Sequence, residues 1–408
     1  MSDIIIAGIG QTEVGEHWDI GLRDLAFLAI QAALKDAGGL KPQAMFVGNM
    51  LAPNLSRQAH LGALLADFAG LTGIEAVTVE AAGASGGAAL RQGYLAVKSG
   101  LVDVALVVGV EKMTDQIGAG VEAALATAAD SDYESEQGIT PAAQAALLMQ
   151  RYMHEYQVPP DGFAGFALTA HAHGAGNPNA MFRKAIKLET YQKAEPITPP
   201  LNMFDAAPNA DGAAALVLTR RELLPSDWPH PLVRIAASAT ASDTLALHDR
   251  KDVLFFEAAY LATSRAVQQA GITLDQIDFF EYHDAFSIYA ALSLEASGFA
   301  LRGQGWKMAA DGRISLVPPA VEHTAPVLPA VELAENRRLP CATMGGLKAR
   351  GFVGGATGVY QAVEAATQLR GQAEACQVAG AKFGLIQSLG GPASTAVVHI
   401  LSNAEEMV

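Results

Sequence analysis

The 408-residue chain is short of cysteine, of positive charge and of long apolar runs, and each shortage excludes something. Two cysteines, Cys341 and Cys376, make no disulfide framework, and no Cys/His spacing suits a metal. Lys and Arg number 27 against 42 Asp and Glu, a formal net charge of −15. So acidic a chain lacks the basic footprint that nucleic-acid binding needs. The longest apolar stretches, such as Val104–Val110, are of strand length and far below a bilayer span. The start, Met1-Ser2-Asp3, has no basic region ahead of the apolar run from Ile4, so it reads as a first strand and not as a signal peptide. A soluble, cytoplasmic protein is expected, with no nucleic-acid or membrane partner.

What is present points to a large buried interior. Hydrophobic residues make up 50% of the chain and charged ones only 17%, which excludes disorder. Strand-like runs at Ile4–Ala7, Ala44–Val47, Ala76–Val79 and Val102–Val110 alternate with helical patterns at Leu22–Lys35, Ala59–Ala69 and Gly86–Val97. That rhythm predicts a mainly parallel sheet with helices on its faces, an α/β fold. From about 113 to 200 the rhythm breaks into an insertion rich in Ala, Gly and Pro, and Ala213–Thr219 then supplies a closing strand. The Pro-containing stretch Leu224–Pro231 separates this half, residues 1–223, from a second, residues 230–408. The second half repeats the plan: strand Leu232–Ala236, helix Phe256–Ala270, strand Ile277–Tyr282 and helix Ser287–Ala296. An insertion at about 299–337 follows, then a glycine-rich loop, helix Gly358–Leu369, and strands near Gly384–Gln387 and Thr395–Leu401. Two similar halves, each with an insertion, suggest duplication.

Four segments carry a family resemblance. They are Val79-Glu80-Ala81-Ala82-Gly83-Ala84-Ser85-Gly86-Gly87-Ala88-Ala89 leading to Val107–Met113; His171-Ala172-His173-Gly174 with Asn177–Arg183; Glu281-Tyr282-His283-Asp284-Ala285-Phe286; and the loop from Gly345 to Gly358, which includes Lys348-Ala349-Arg350-Gly351-Phe352. In this order, along essentially the whole chain, they resemble the thiolase superfamily, in its archaeal acetyl-CoA acetyltransferase and sterol-carrier-type branch. The resemblance implies a five-layer αβαβα fold, at least a homodimer, and an acyl-CoA substrate whose coenzyme A is part of the substrate and not a separate cofactor.

The departures from the family pattern matter more than the matches. Gly83 stands where the family has its nucleophilic cysteine, placed at a helix N-terminus whose dipole favours a thiolate. Glycine has no side chain to form an acyl-enzyme. Phe352 replaces the activating histidine of the Gly-His-Pro motif, and Ala285 replaces the cysteine of the His-Asp-Cys-Phe motif. His283 alone remains of the usual set, on the motif that helps form an oxyanion hole. A site that binds a CoA thioester and stabilises an enolate, without a nucleophile, suits an aldol or retro-aldol reaction on a β-hydroxyacyl-CoA. The superfamily's cysteine-less sterol side-chain aldolases are similar, and they work with a DUF35-type OB-fold partner. Such a partner would also supply the positive charge that this acidic chain lacks for coenzyme A. The conventional acetyl-CoA C-acetyltransferase and a non-catalytic subunit of an acyl-CoA-processing complex are the competing readings.

Candidate catalytic residues are therefore His283 and Tyr289; a packing role for either stays open on spacing alone. Tyr282 alternates with His283 and belongs to the core. Gly83, His171, Phe352, Gly355 and Ala356 are expected to line the substrate site, and Lys348 and Arg350 to meet coenzyme A phosphates. His171 and His173, two apart, suit a strand or a loop. Ser85 is expected to cap the helix that follows it, and Cys341 to be a small buried thiol.

Overall fold

A computed structural model of the protein describes residues 3–316 and 337–403, so most of the second expected insertion lies outside the described residues. Among the described residues there are eleven strands: β1 (Ile4–Gln11), β2 (Ala44–Gly48), β3 (Glu75–Val79), β4 (Val104–Glu111), β5 (Pro196–Thr198), β6 (Leu201–Asn202), β7 (Gly212–Arg220), β8 (Val233–Ser242), β9 (Phe279–Glu281), β10 (Phe383–Gly390) and β11 (Thr395–Asn403). Nine of them run in the order β3-β2-β4-β7-β1-β8-β11-β10-β9, while β5 and β6 form a separate ribbon. Within the sheet the strands of the two halves join through one antiparallel pair, Ile5 with Arg234 of β8.

Duplication is visible in this order. In the first half β3, β2 and β4 are parallel, β7 is antiparallel to β4, and β1 is antiparallel to β7. Hence four strands share one direction and β7 opposes them. The second half has β9 parallel to β10, β11 antiparallel to β10, and β8 antiparallel to β11. The counterpart of β3 is reduced to one parallel bridge between Phe280 and Cys341. Each half is thus ordered third, second, fourth, fifth, first.

Alternation along the strands separates the layers. Val104, Leu106, Val108 and Val110 of β4 join the outer helices, where Leu25, Ala26, Ala29, Ile30 and Ala33 recur with helical period. Ala105 and Val107 point the other way, toward Leu90, Tyr94, Val359, Tyr360 and Val363 of two central helices, Ser85–Ser99 and Thr357–Leu369. A third core packs helices Glu257–Ala270 and Ser287–Ala296 on the far face of the second-half strands. Three interlayer cores define the five-layer αβαβα arrangement.

The central helices meet at their N-termini, where backbone touches backbone. A Cβ at Gly358 would lie 2.2 Å from the Gly87 nitrogen, and one at Gly86 would lie 2.8 Å from the Gly355 oxygen, so neither position admits a larger residue. These two helix starts are also alike in detail. Ala82 and Gly354 both adopt left-handed φ (50° and 47°) as the first residue of a short 3₁₀ turn. The Ser85 hydroxyl donates to the Ala82 carbonyl at 2.6 Å, and Thr357 donates to the Gly354 carbonyl at 2.8 Å. Gly83 and Gly355 are therefore counterparts.

Candidate functional site

The first insertion does not stay on its own half. Its helix Pro141–Tyr156 packs against Ser287–Ala296, and the Tyr152 hydroxyl donates to the buried Glu295 carboxylate. This fold-over roofs a cavity of about 490 Å³ between the halves. Its floor is Gly83, His283, Phe352 and Leu389; Ala285, Phe286 and Tyr289 rise from one side, and Glu122, Gln144 and Asn209 belong to the roof and walls. No lysine or arginine lines it among the described residues.

Gly83 sits at the elbow between β3 and its helix. Glu80 accepts from the Ala82 N–H at 2.5 Å, and the Ser85 hydroxyl accepts from the Ala81 N–H at 2.9 Å. These bonds hold Ala82 in a left-handed conformation that non-glycine residues seldom adopt. A Cβ built on Gly83 would stand 2.7 Å from the Leu389 carbonyl oxygen, 3.1 Å from His283 Cε1 and 3.4 Å from His283 Nε2. The elbow has therefore closed over the place where a thiol would begin.

His283 follows β9 and is 3% exposed. Burial first, and the nearby Arg350 charge second, push its imidazole down to about 3, so the ring is neutral at working pH. Its Nδ1 is buried with no hydrogen-bond partner among the described residues. The segment is fixed from both sides. Asp284 accepts from the Leu347 N–H at 2.7 Å, and Gln361 donates to the Tyr282 carbonyl at 2.7 Å. The Phe352 ring stands edge-on to the imidazole, centroids 5.9 Å apart and planes at 81°. Phe352 is anchored by its N–H to the Pro208 carbonyl at 2.8 Å and by its carbonyl to the Ala210 N–H at 2.9 Å. Tyr282 points away into the core, against Phe166 and Phe280. Tyr289 lines the cavity against Phe256 and Phe286, and burial raises its hydroxyl well above the ordinary phenol range.

Several expected site residues lie elsewhere. Arg350 is fully buried and paired with Glu364 at 2.5 Å, its guanidinium 5.2 Å from the Tyr360 ring centre, so it has no surface on which to meet a phosphate. Lys348 is buried too, donating to the Met203 carbonyl at 3.0 Å and to that of Ala206; it ties down the 203–206 segment and is not among the residues that line the cavity. Both turn inward because the Gly346–Arg350 turn is tucked beneath the floor, where Asp284 accepts its N–H groups. Gly355 and Ala356 are absent from the lining. The Gly355 N–H is taken at 2.9 Å by Glu111, which also accepts from Asn49, Met50 and Leu51 and so staples the end of β2 to the second elbow. His171 and His173 are on a helix, Ala164–Gly174, and not on a strand or loop. Two residues apart on a helix they face different ways: His171 between Phe182 and Phe204, outside the cavity, and His173 onto the Ala342 carbonyl. Burial pushes His171 down to about 4. Ser85 is already inside its helix and closes the elbow turn instead of capping. Cys341 is a buried thiol in the bridge with Phe280.

Among the polar lining residues that escape the sequence reading are Glu122, Gln144 and Asn209. Glu122 is the one carboxylate on the cavity wall among the described residues; burial raises it, and a hydrogen bond from Asn209 opposes the rise. Gln144 is 3% exposed. All three lie in or after the insertion; the sequence signal for Glu122 is a lone polar residue in an alanine-rich helix, and for Gln144 a polar residue in the alanine-rich first turns of its helix.

The comparisons with known proteins agree with this geometry. Residues 4–222 match the family described as "Thiolase, N-terminal domain", and residues 239–317 and 322–403 match "Thiolase C-terminal domain-like". The chain is 39% identical to an acetyl-CoA acetyltransferase of Methanothermobacter thermautotrophicus over 98% of its own length and all of that protein. It is 28% identical to a steroid side-chain-cleaving aldolase of Thermomonospora curvata over 88% of each chain. Among solved structures it superposes on one named "Ltp2-ChsH2(DUF35) aldolase" with a TM-score of 0.81 at 24% identity, covering 99% of this chain and 98% of that one. Two elbows that meet head to head, with an acyl-sized cavity above them, are thus the framework of a family of acyl-CoA enzymes: the chain belongs to the thiolase family.

Proposed function

We propose that the protein is an aldolase or retro-aldolase acting on a β-hydroxyacyl-CoA. The observation that carries this is the closed elbow at Gly83, which has no room for a thiol, beside a retained, neutral and incompletely bonded His283. A neutral imidazole is a hydrogen-bond donor suited to a thioester oxygen on which enolate charge develops. In the cleavage direction Glu122 takes the β-hydroxyl proton and the Cα–Cβ bond breaks. The electron pair moves into the thioester as an enolate, Glu122 returns the proton it took to Cα, and the new carbonyl compound leaves. Tyr289, kept as a phenol by burial, is the second donor, toward the β-oxygen. Water is excluded by the apolar walls.

Coenzyme A needs cations that this cavity does not provide, since Lys348 and Arg350 turn inward. A DUF35-type partner would supply them, and the structural relative named as a complex with a DUF35 protein supports that reading. The open edge of β3, with Val77 half exposed, fits a second copy of the chain. Co-purification sized by light scattering reads both partners.

The direct test supplies β-hydroxyacyl-CoA thioesters to the complex and follows aldehyde or ketone release; silence across chain lengths and bulky acyl groups sinks the proposal. Relatives named acetyl-CoA acetyltransferase favour a second reading. It requires CoA-dependent thiolysis of acetoacetyl-CoA and a covalent acyl adduct. A non-catalytic subunit would instead keep its pathway's activity after His283→Ala.

A further inference from the structure

Of the cavity-lining residues, two carry a buried side-chain nitrogen with no hydrogen-bond partner among the described residues: His283 at Nδ1 and Gln144 at Nε2. The first belongs to the reaction centre. The second is unexplained by it, because Gln144 projects from the roof helix Pro141–Tyr156 and not from either elbow. A buried amide without a partner is uncommon in a native fold and calls for a reason. Its neighbours do not provide one: the Thr140 hydroxyl oxygen is already engaged in capping the helix at the Ala143 N–H, 3.2 Å away, and Pro141 and Ala142 offer no side-chain acceptor.

The surrounding wall describes what would satisfy it. Met50, Leu125, Ala128, Ala129, Ile197 and Phe286 make the cavity largely apolar, and alanines keep it wide. A volume of about 490 Å³ is far more than a two-carbon acyl group fills, and lies within the roughly 300–1,000 Å³ of pockets that bury drug-sized ligands. On the reading of this cavity as the acyl-CoA site, part of it takes the pantetheine arm and the rest is room for an acyl body. Glu122 stands on the neighbouring helix Gly118–Ala126 and contributes negative charge to the same cavity.

We propose that Gln144 is a specificity-determining residue whose amide donates to an uncharged keto or hydroxyl oxygen on the acyl group, beyond the reacting carbons, so that the preferred substrate has a bulky apolar acyl body bearing one such oxygen. The inference rests on the reading of this cavity as the acyl-CoA site, and deepens it. A distal carboxylate is disfavoured by the apolar lining and by the negative charge that Glu122 adds to the same cavity.

The test is equilibrium binding of unreactive thioether acyl-CoA analogues to the full chain with its partner. The set is a saturated acyl chain, the same chain with a keto group moved stepwise along its distal part, and the same chain ending in a carboxylate. One keto position should bind about tenfold tighter than the hydrocarbon, equivalent to about 1.4 kcal/mol, and the carboxylate no tighter. Gln144→Leu should erase the preference by weakening the keto analogue while the hydrocarbon binds as well or better. Gln144→Met, nearer in length, repeats the measurement should the leucine variant melt early. Equal binding of all analogues, a preference that survives both substitutions, or failure of both variants to fold would overturn the assignment. Binding needs no turnover, so an absent aldolase activity leaves this result readable on its own.

Discussion

Restoring the family's nucleophile by Gly83→Cys should not restore thiolase chemistry, and the reason is steric before it is chemical. The new Cβ would stand 2.7 Å from the Leu389 carbonyl oxygen, which is backbone and not a flexible side-chain end. Leu389 is held in the β10–β11 ladder opposite Ala396, and its side chain is buried in the second-half core, so it does not yield freely. His283 Cε1, at 3.1 Å, blocks relief in the other direction. Forcing atoms into so packed a place costs about 1–3 kcal/mol, which urea unfolding measures as a lower midpoint at unchanged slope. The helix N-terminus would still favour a thiolate, but Phe352 can neither take the thiol proton nor return one. The assay is intact-mass analysis after incubation with acetyl-CoA, together with CoA-dependent thiolysis of acetoacetyl-CoA. A variant as stable as the parent that gains an acetyl mass increment and thiolysis would refute the argument. Adding Phe352→His should restore neither while the Leu389 contact stands.

Three further outcomes follow from the site. His283→Ala should lower kcat for carbonyl release by about 10²–10³ with little change in KM, checked by steady-state kinetics. The pH profile of cleavage should have one acid limb, set by Glu122 above the ordinary carboxylate value because burial raises it. Activity needs the ionised base, so the rate rises with pH through that limb and is flat above it; Glu122→Gln should abolish the limb, and no second limb should come from His283, which stays neutral down to about 3. Arg350→Met should destabilise the fold by about 3–5 kcal/mol by leaving Glu364 buried and uncompensated. The double variant Arg350→Met with Glu364→Met should recover most of that in urea unfolding, with acyl-CoA affinity unchanged.

The departures from the sequence reading share one cause. Lys348 and Arg350 are expected at a phosphate because bases beside a glycine loop are commonly exposed. Whether a base points out or in depends on what the rest of the chain places beneath it, and here Glu364, Asp205 and Asp284 wait there. Gly355 is expected at the substrate because glycine permits close approach. It does so, but to the β2 end and to Glu111, which is 244 residues away along the chain. His171 leaves the site because the 164–174 segment is a helix, and helical period and strand period send a neighbouring pair to different faces.

By itself the sequence determined the periodic elements, the two-half α/β plan and that Gly83 and Phe352 bring no nucleophile or base; that a cysteine and a histidine belong at those positions is what the family resemblance implies. These are properties of local pattern and residue chemistry, and they do not depend on distant contacts. The tertiary structure alone decided that the first insertion crosses to roof the other half, and that Glu122, Gln144 and Asn209 therefore share a cavity with His283. It also decided that Leu389 occupies the space a thiol would need. Such facts are distances between residues far apart in the chain, and a cavity exists only once both of its walls are in place.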